Sequence, residues 1–159
     1  MCKAYRCLHI HKRNVWRLDD SNEIYEDRAD AAGRVLGVKA GLILFGHGAR
    51  DPQWVEPFER LAAKVRAQTT AEVRLAFLEI TAPDLHAAAE ALIAGGVDSI
   101  HVVPVFFGQG GHVKRDLPAQ VEALRQRHPT VDFHCAVAVG EDAAVIEVLA
   151  GYCLRALGE

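Results

Sequence analysis

Apolar runs and segments of helical spacing alternate along the chain from Gly41 onward. Continuous, mostly apolar runs predict four buried strands, at 41–45, 73–80, 99–107 and 131–139. Apolar residues that recur every three or four positions predict four helices, at 52–68, 83–94, 116–127 and 141–157. Strands that are apolar throughout suit burial on both sides. The alternation therefore predicts the α/β class, as a single domain with a four-stranded parallel sheet and helices on both faces.

The ends of two predicted helices carry further expectations. Pro118 is expected in the first turn of the third helix, where a missing N–H group is tolerated. The last helix is acidic at its start, which suits the helix dipole. Its apolar face, formed by Val145, Val148, Leu149 and Tyr152, is expected to pack inward.

The pattern is different before residue 39. Residues 1–38 show no sustained period and carry scattered charges, so we predict an irregular N-terminal extension that is disordered or not native. Met1 is the sole methionine, and a later start would need a non-ATG codon, for which Val35 or Val38 would suit. A metal-delivery tail is an alternative, because four potential ligands lie close together in sequence: Cys2, Cys7, His9 and His11. The regular domain is predicted at 39–159.

Composition narrows the class of protein. The chain has 159 residues, half of them hydrophobic, which fits one globular domain. A formal net charge of −3 gives no basic field for nucleic acid. No apolar run approaches the roughly 18 residues of a membrane span, and the start lacks a signal-peptide core. We therefore expect a cytoplasmic protein that binds neither nucleic acid nor membrane.

The cysteines do not predict a cluster or a disulfide framework. The four cysteines include no CxxC pair, so an iron–sulfur cluster or zinc ribbon has no support. Cys135 and Cys153 fall in a predicted strand and a predicted helix, and we expect both to be free and buried.

Candidate chemistry follows three of the predicted strands. In a parallel α/β sheet, ligands bind beyond the carboxyl ends of the strands. His47 follows the first strand between two glycines, Glu79 lies at the end of the second, and His112 follows the glycine-rich loop after the third. A carboxylate at the end of an apolar strand needs a partner if it is buried. We therefore expect these three side chains to share one edge of the sheet.

Two imidazoles and a carboxylate could bind Fe, Co, Ni or Zn, or could transfer protons. The spacing matches no compact zinc motif, so it does not decide between these roles. Arg50, Lys114 and Arg115 lie in the same region and could bind substrate carboxylates. Nucleotide-phosphate and serine-hydrolase motifs are absent from the sequence. The remaining candidates among the histidines are interpreted as structural: His86, His101, His128 and His134.

Three motifs resemble one family of enzymes. GHGARDP (46–52), FLE (77–79) and VVPVFFGQGGHVKRDLP (102–118) are similar to the small class II chelatases, the sirohydrochlorin cobaltochelatases and ferrochelatases of the CbiX and SirB type. The resemblance covers about 41–157 and matches in order and spacing. Ala49 is a departure, because the family more often has serine there, and a hydroxyl hydrogen bond is then lost.

The resemblance implies a chelatase-like fold and insertion of Co²⁺ or Fe²⁺ into sirohydrochlorin, in cobalamin or siroheme synthesis. It implies that His47 and His112 bind the metal or accept pyrrole protons, with Glu79 as a third participant. Substrate contacts are expected from five residues: Arg50, Gly110, Gly111, Lys114 and Arg115. No permanently bound cofactor is expected. A homodimer is expected, because one sheet edge supplies one wall whereas a flat macrocycle needs two.

Two other functions remain open at this point. A tetrapyrrole or metal carrier would use the same residues without accelerating insertion. A hydrolase with a metal-activated water would need an open metal position and a hydrolysable substrate.

Overall fold

The computed structural model describes residues 10–11, 14–18, 24–29, 35–108, 110 and 113–158. The chain forms two compact units, Met1–Lys39 and Ala40–Glu159. No helix in the described ranges is long and apolar enough to cross a bilayer.

The first unit contains an antiparallel sheet with the order β1-β2-β3-β4. Its strands are β1 Ile10–His11, β2 Asn14–Leu18, β3 Ile24–Ala29 and β4 Val35–Gly37. The prediction of an irregular extension is therefore wrong for these residues. Strands of two to six residues are shorter than the windows in which a period can be recognised. Of the four possible metal ligands, His11 lies on β1, whereas Cys2, Cys7 and His9 lie outside the described residues. Whether this unit is native stays a prediction.

The second unit alternates strands and helices, as the sequence predicts. Its elements are β5 Ala40–Gly46, a 3-10 helix Pro52–Val55, α1 Glu56–Arg66, β6 Glu72–Phe77, α2 Leu85–Ala94, β7 Ser99–Pro104, α3 Val113–Arg127, β8 Asp132–Cys135, a 3-10 helix Val139–Glu141 and α4 Ala143–Ala156. All neighbouring strands are parallel, in the order β6-β5-β7-β8. The predicted four-stranded parallel sheet is confirmed, and β5 lies inside it.

Both faces of this sheet are covered. Ile43 and Phe45 of β5 belong to the larger core, in which the sheet packs against α2 and α3. Leu42 and Leu44 belong to the smaller core on the opposite face, against α1. This alternation fixes β5 between two apolar layers, so the loop that follows Gly46 starts from an immobilised strand.

The helix starts differ from two expectations, because α4 has no acidic residue in its first turn and α3 begins earlier than predicted. Asp84 caps α2, where its carboxylate accepts a hydrogen bond from the Ala87 N–H at 2.7 Å. Helix α3 begins at Val113 and not at Asp116, so Pro118 lies in its second turn. The expected first-turn position of Pro118 is therefore wrong. The local pattern missed the first three residues, because the apolar period that marks the helix begins at Leu117.

Helix α4 buries none of its residues. Val145 and Leu149 are half-buried, whereas Val148 is 70% exposed and Tyr152 is 65% exposed. The prediction of an inward apolar face is therefore wrong for Val148 and Tyr152 within this chain. Cys153 on the same helix and Cys135 at the end of β8 are free, as predicted, but exposed. Spacing identified the apolar side of α4, but the sequence gives no information on what covers it.

Candidate functional site

His47 lies in the loop that directly follows β5. Gly46, the last residue of the strand, is buried, whereas His47 is exposed. A Cβ at Gly46 would lie 2.5 Å from the Phe58 ring, so helix α1 passes close behind the strand end. The sheet and α1 therefore fix the backbone from which the His47 imidazole projects.

Glu79 lies beside His47 through backbone contacts. Strand β6 ends at Phe77, so Glu79 is two residues beyond the strand and not at its end as predicted. The Leu78 N–H donates to the Gly46 carbonyl at 2.8 Å, and the Glu79 N–H donates to the His47 carbonyl at 3.0 Å. The predicted convergence of His47 and Glu79 is thus observed for their backbones. The Glu79 residue is exposed.

The next strand also contributes to the surroundings of His47. The Val105 N–H donates to the Phe45 carbonyl at 2.8 Å, which extends the pairing of β7 with β5. The Phe106 ring, 3% exposed, then contacts the His47 ring, with centroids 4.3 Å apart and planes inclined at 44°. Phe106 therefore supports one side of the imidazole and leaves the exposed side available to a ligand.

Sequence reasoning missed Phe106 and Thr81. The Thr81 hydroxyl, in the loop after β6, bonds to both backbone groups of Ala49. The sequence contained an indication of a buried Phe106, because this residue lies four positions beyond Val102 in the apolar run that leads to the glycine-rich loop. It contained no such indication for Thr81, because its contact joins residues that are 32 positions apart.

The remaining predicted site residues are described in part. Arg50, next to the His47 loop, and Arg115, in the first turn of α3, are both exposed. Gly110 is exposed, and a Cβ there would meet no atom within 4 Å. His112 and Gly111 lie outside the described residues, as does the side chain of Lys114. Within the parts of the chain that are described, no three His, Cys, Asp or Glu side chains are grouped to hold a metal ion.

Comparisons with known proteins agree with this architecture. A sequence model of the CbiX family matches residues 41–153, which is most of the second unit. The chain belongs to the CbiX family. A relative named sirohydrochlorin cobaltochelatase, from Sulfurisphaera tokodaii, is 33% identical over 69% of this chain and 87% of that protein. The family resemblance predicted from the three motifs is confirmed.

Solved structures of CbiX-type proteins share the fold. A cobalamin (vitamin B12) biosynthesis CbiX protein from Marinobacter aquaeolei VT8 superposes with a TM-score of 0.67 and 28% identity, over 75% of this chain and 98% of that one. The sirohydrochlorin chelatase SirB from Bacillus subtilis subspecies spizizenii, in complex with cobalt, gives a TM-score of 0.65 at 23% identity. It is matched over 74% of this chain and 51% of its own. Because its sequence identity is low, the match to SirB supports a shared fold and nothing further.

Two other histidines of this CbiX-family domain form a pair away from the site. His101 on β7 lies opposite His134 on β8, and the rings stack with centroids 4.7 Å apart. His128, after α3, contacts a Glu90 carboxylate oxygen at 3.0 Å and so links α3 to α2. His101, His128 and His134 thus make contacts inside the fold, in line with the structural role predicted for them. His47, by contrast, is exposed in the loop that follows β5.

Because His101 is stacked on His134 and partly buried, we expect the protein to lose stability at acid pH. Burial, and secondly the neighbouring His134, lower the pKa of His101 from 6.5 to about 4. Between these values the unfolded chain binds a proton at residue 101 that the folded protein does not. The free energy of unfolding therefore falls as the pH decreases through this range. We expect His101→Gln to lose less stability than the parent protein between about pH 7 and about pH 4.5, measured by urea unfolding. Equal losses in the two proteins would contradict this assignment.

Proposed function

We propose that this protein is a sirohydrochlorin chelatase that inserts Co²⁺ or Fe²⁺ into the macrocycle, in cobalamin or siroheme synthesis. The observation that carries the proposal is the exposed His47 imidazole, supported by Phe106 and held beside the Glu79 loop, in a CbiX-family domain. The relative from Sulfurisphaera tokodaii bears the corresponding name. The metal is a substrate, and the proposal includes no permanently bound cofactor.

In the proposed mechanism, His47 and His112 hold the metal at the face of the ring. Neutral imidazole suits cobalt and iron, and its nitrogen can accept a pyrrole proton once the metal has passed to the ring. Two pyrrole protons must leave as the metal binds the four nitrogens of the macrocycle, and Glu79 carries protons away or orients an imidazole. Fixing the metal against the ring removes the entropic cost of their encounter.

Recognition of the macrocycle is assigned to the surrounding loops and to the first turn of α3. Sirohydrochlorin carries peripheral carboxylates, and a guanidinium fork binds a carboxylate through two parallel hydrogen bonds. Arg50 and Arg115 are exposed and suited to this role. Lys114 would add a third positive charge. Gly110 and Gly111 would let the backbone approach the ring, because they lack a side chain.

We also propose that the protein acts as a homodimer in the cytoplasm. A single sheet edge supplies one wall of a cleft for a flat ring, and two-fold pairing is the commonest way to supply another. The exposed apolar residues of α4 offer a surface for a second copy, since large exposed apolar patches mark association sites. They include Ile146, Val148, Tyr152 and Leu154.

The function is tested by mixing sirohydrochlorin with the protein and either Co²⁺ or Fe²⁺ under anaerobic conditions. Conversion is followed by absorbance, and the faster metal indicates the pathway. Tight binding of the macrocycle, seen as a perturbed but unconverted spectrum, would instead identify a carrier. An unperturbed spectrum would return the metal-dependent hydrolase to consideration.

His112→Ala is expected to lower the insertion rate by at least about 100-fold, because a ligand and proton acceptor is removed from the metal. The residue follows three glycines among the four preceding positions, so the helical signal in far-UV circular dichroism should be unchanged. Turnover equal to that of the parent protein would exclude His112 from the site.

A further inference from the structure

The Thr81 hydroxyl joins the two loops that carry His47 and Glu79. Its oxygen accepts a hydrogen bond from the Ala49 N–H at 3.0 Å, and its O–H donates to the Ala49 carbonyl at 3.0 Å. A hydroxyl provides one donor and two acceptor positions, so one side chain satisfies both backbone groups. The residue two positions after His47 is thereby fixed to the residue two positions after Glu79.

The backbone between Glu79 and Thr81 is strained. Ile80 has φ of 66°, and the Thr81 N–H donates across it to the Glu79 carbonyl at 2.6 Å. A turn of this kind is rare, and a positive φ is unusual for a β-branched residue. Such a conformation persists only where its surroundings hold it. Here the Glu79 N–H is held by His47 on one side and the Thr81 hydroxyl by Ala49 on the other.

The two loops approach so closely that no side chain fits between them. Gly48 has φ of +84°, and a Cβ there would overlap the Glu79 carbonyl oxygen. The same Cβ would lie 3.2 Å from the Thr81 hydroxyl oxygen. Backbone contact between the loops, closed by Thr81, therefore sets the separation of His47 from Glu79.

We propose that Thr81 is a positioning residue for metal insertion, acting through the Ala49 backbone on His47 and through the Ile80 turn on Glu79. This inference rests on the proposed chelatase function. Thr81 takes no part in proton transfer or metal binding in this account. Its hydroxyl keeps the imidazole and the carboxylate in the arrangement that the reaction needs, so its loss lowers kcat more than it raises KM.

The test compares Thr81→Val, which keeps the shape but removes the hydroxyl, with Thr81→Ser, which restores it. Thr69→Val is a matched control, because the Thr69 hydroxyl accepts a bond from the Ala71 N–H at 3.1 Å in the loop that leads into β6, at the opposite edge of the sheet. For each full-length variant, kcat and KM are measured for sirohydrochlorin with Co²⁺. Amide hydrogen exchange at Ala49 and Glu79 is measured on the protein without substrate.

In Thr81→Val we expect exchange at Ala49 to quicken about tenfold, the change that loss of one hydrogen bond can produce. We expect kcat to fall about tenfold with KM for sirohydrochlorin nearly unchanged, because small misplacements of reacting groups slow the reaction. Thr81→Ser should restore both values, and Thr69→Val should change neither. If Thr81→Val does not fold, Thr81→Ala provides the same comparison.

Two results would overturn the inference. Unchanged exchange at Ala49 in Thr81→Val would show that the hydroxyl does not hold the loop, whatever the activity. Faster exchange with unchanged kcat would show a purely structural contact. Failure of the proposed function is distinguished from both, because the parent protein itself would then fail to convert sirohydrochlorin.

Discussion

Replacing His47 by alanine is expected to lower the rate of metal insertion by at least about 100-fold, the lower end of what general acid–base groups contribute. The imidazole is exposed and contacts the Phe106 ring on one side, so its removal takes little from the core. The free energy of unfolding should therefore change by less than about 1 kcal/mol. Initial rates with Co²⁺ and a urea unfolding curve measure the two effects on the same preparation.

His128→Ala is the matched control for this substitution. This substitution also removes an imidazole, but His128 follows the end of α3 and contacts Glu90 of α2. We expect its insertion rate to remain within about twofold of the parent rate, since His128 lies before the start of β8, at the end of the sheet opposite to His47. Equal losses of activity in the two variants would mean that His47 has no particular role.

Gly48→Ala is expected to reduce both stability and activity. An added methyl group meets two penalties, because φ is +84° and the Cβ would overlap the Glu79 carbonyl oxygen. The left-handed conformation and the overpacking together should cost about 3 kcal/mol. Relief of the overlap moves the His47 loop away from Glu79, and displacements of this size can cost about 100-fold in rate.

Gly96→Ala measures the cost of the left-handed conformation without the steric overlap. Gly96 follows α2 with the same φ of +84°, but a Cβ there would meet no atom within 4 Å. We expect this variant to lose only about 1 kcal/mol of stability, from the conformation alone, and to keep its insertion rate. Thermal or urea unfolding of both variants gives the difference. Equal destabilisation by the two substitutions would show that the loops around His47 are not in close contact.

The sequence predicted the parts of the fold that depend on periodic patterns. The four apolar runs became β5 to β8, and their parallel order put His47 and Glu79 at one edge, because topology alone brings strand ends together. Glu79 was predicted at a strand end, whereas it lies in a loop with Ile80 at positive φ. The φ of Ile80 is set by hydrogen bonds to a loop that is distant in sequence, and no local sequence pattern indicates it.

Other differences have related causes. Thr81 and Phe106 act on the site through contacts across the sheet edge, so their importance appears only once the strands are adjacent. The exposure of α4 and Cys153 depends on which surface another element or chain covers, which hydrophobic spacing does not specify. The resemblance to chelatases supplied the expected place of His47 and His112 in the site, as metal ligands or acceptors of pyrrole protons, and the choice between these two roles stays open.

The central claim is most directly tested by the initial rate of sirohydrochlorin conversion with Co²⁺ under anaerobic conditions, with the macrocycle in large excess over the protein. Protein-free solution and the His47→Ala variant serve as references. We predict many turnovers per chain at a rate well above both references. Conversion at the protein-free rate, or conversion that stops at one macrocycle per site, would contradict catalysis by this protein.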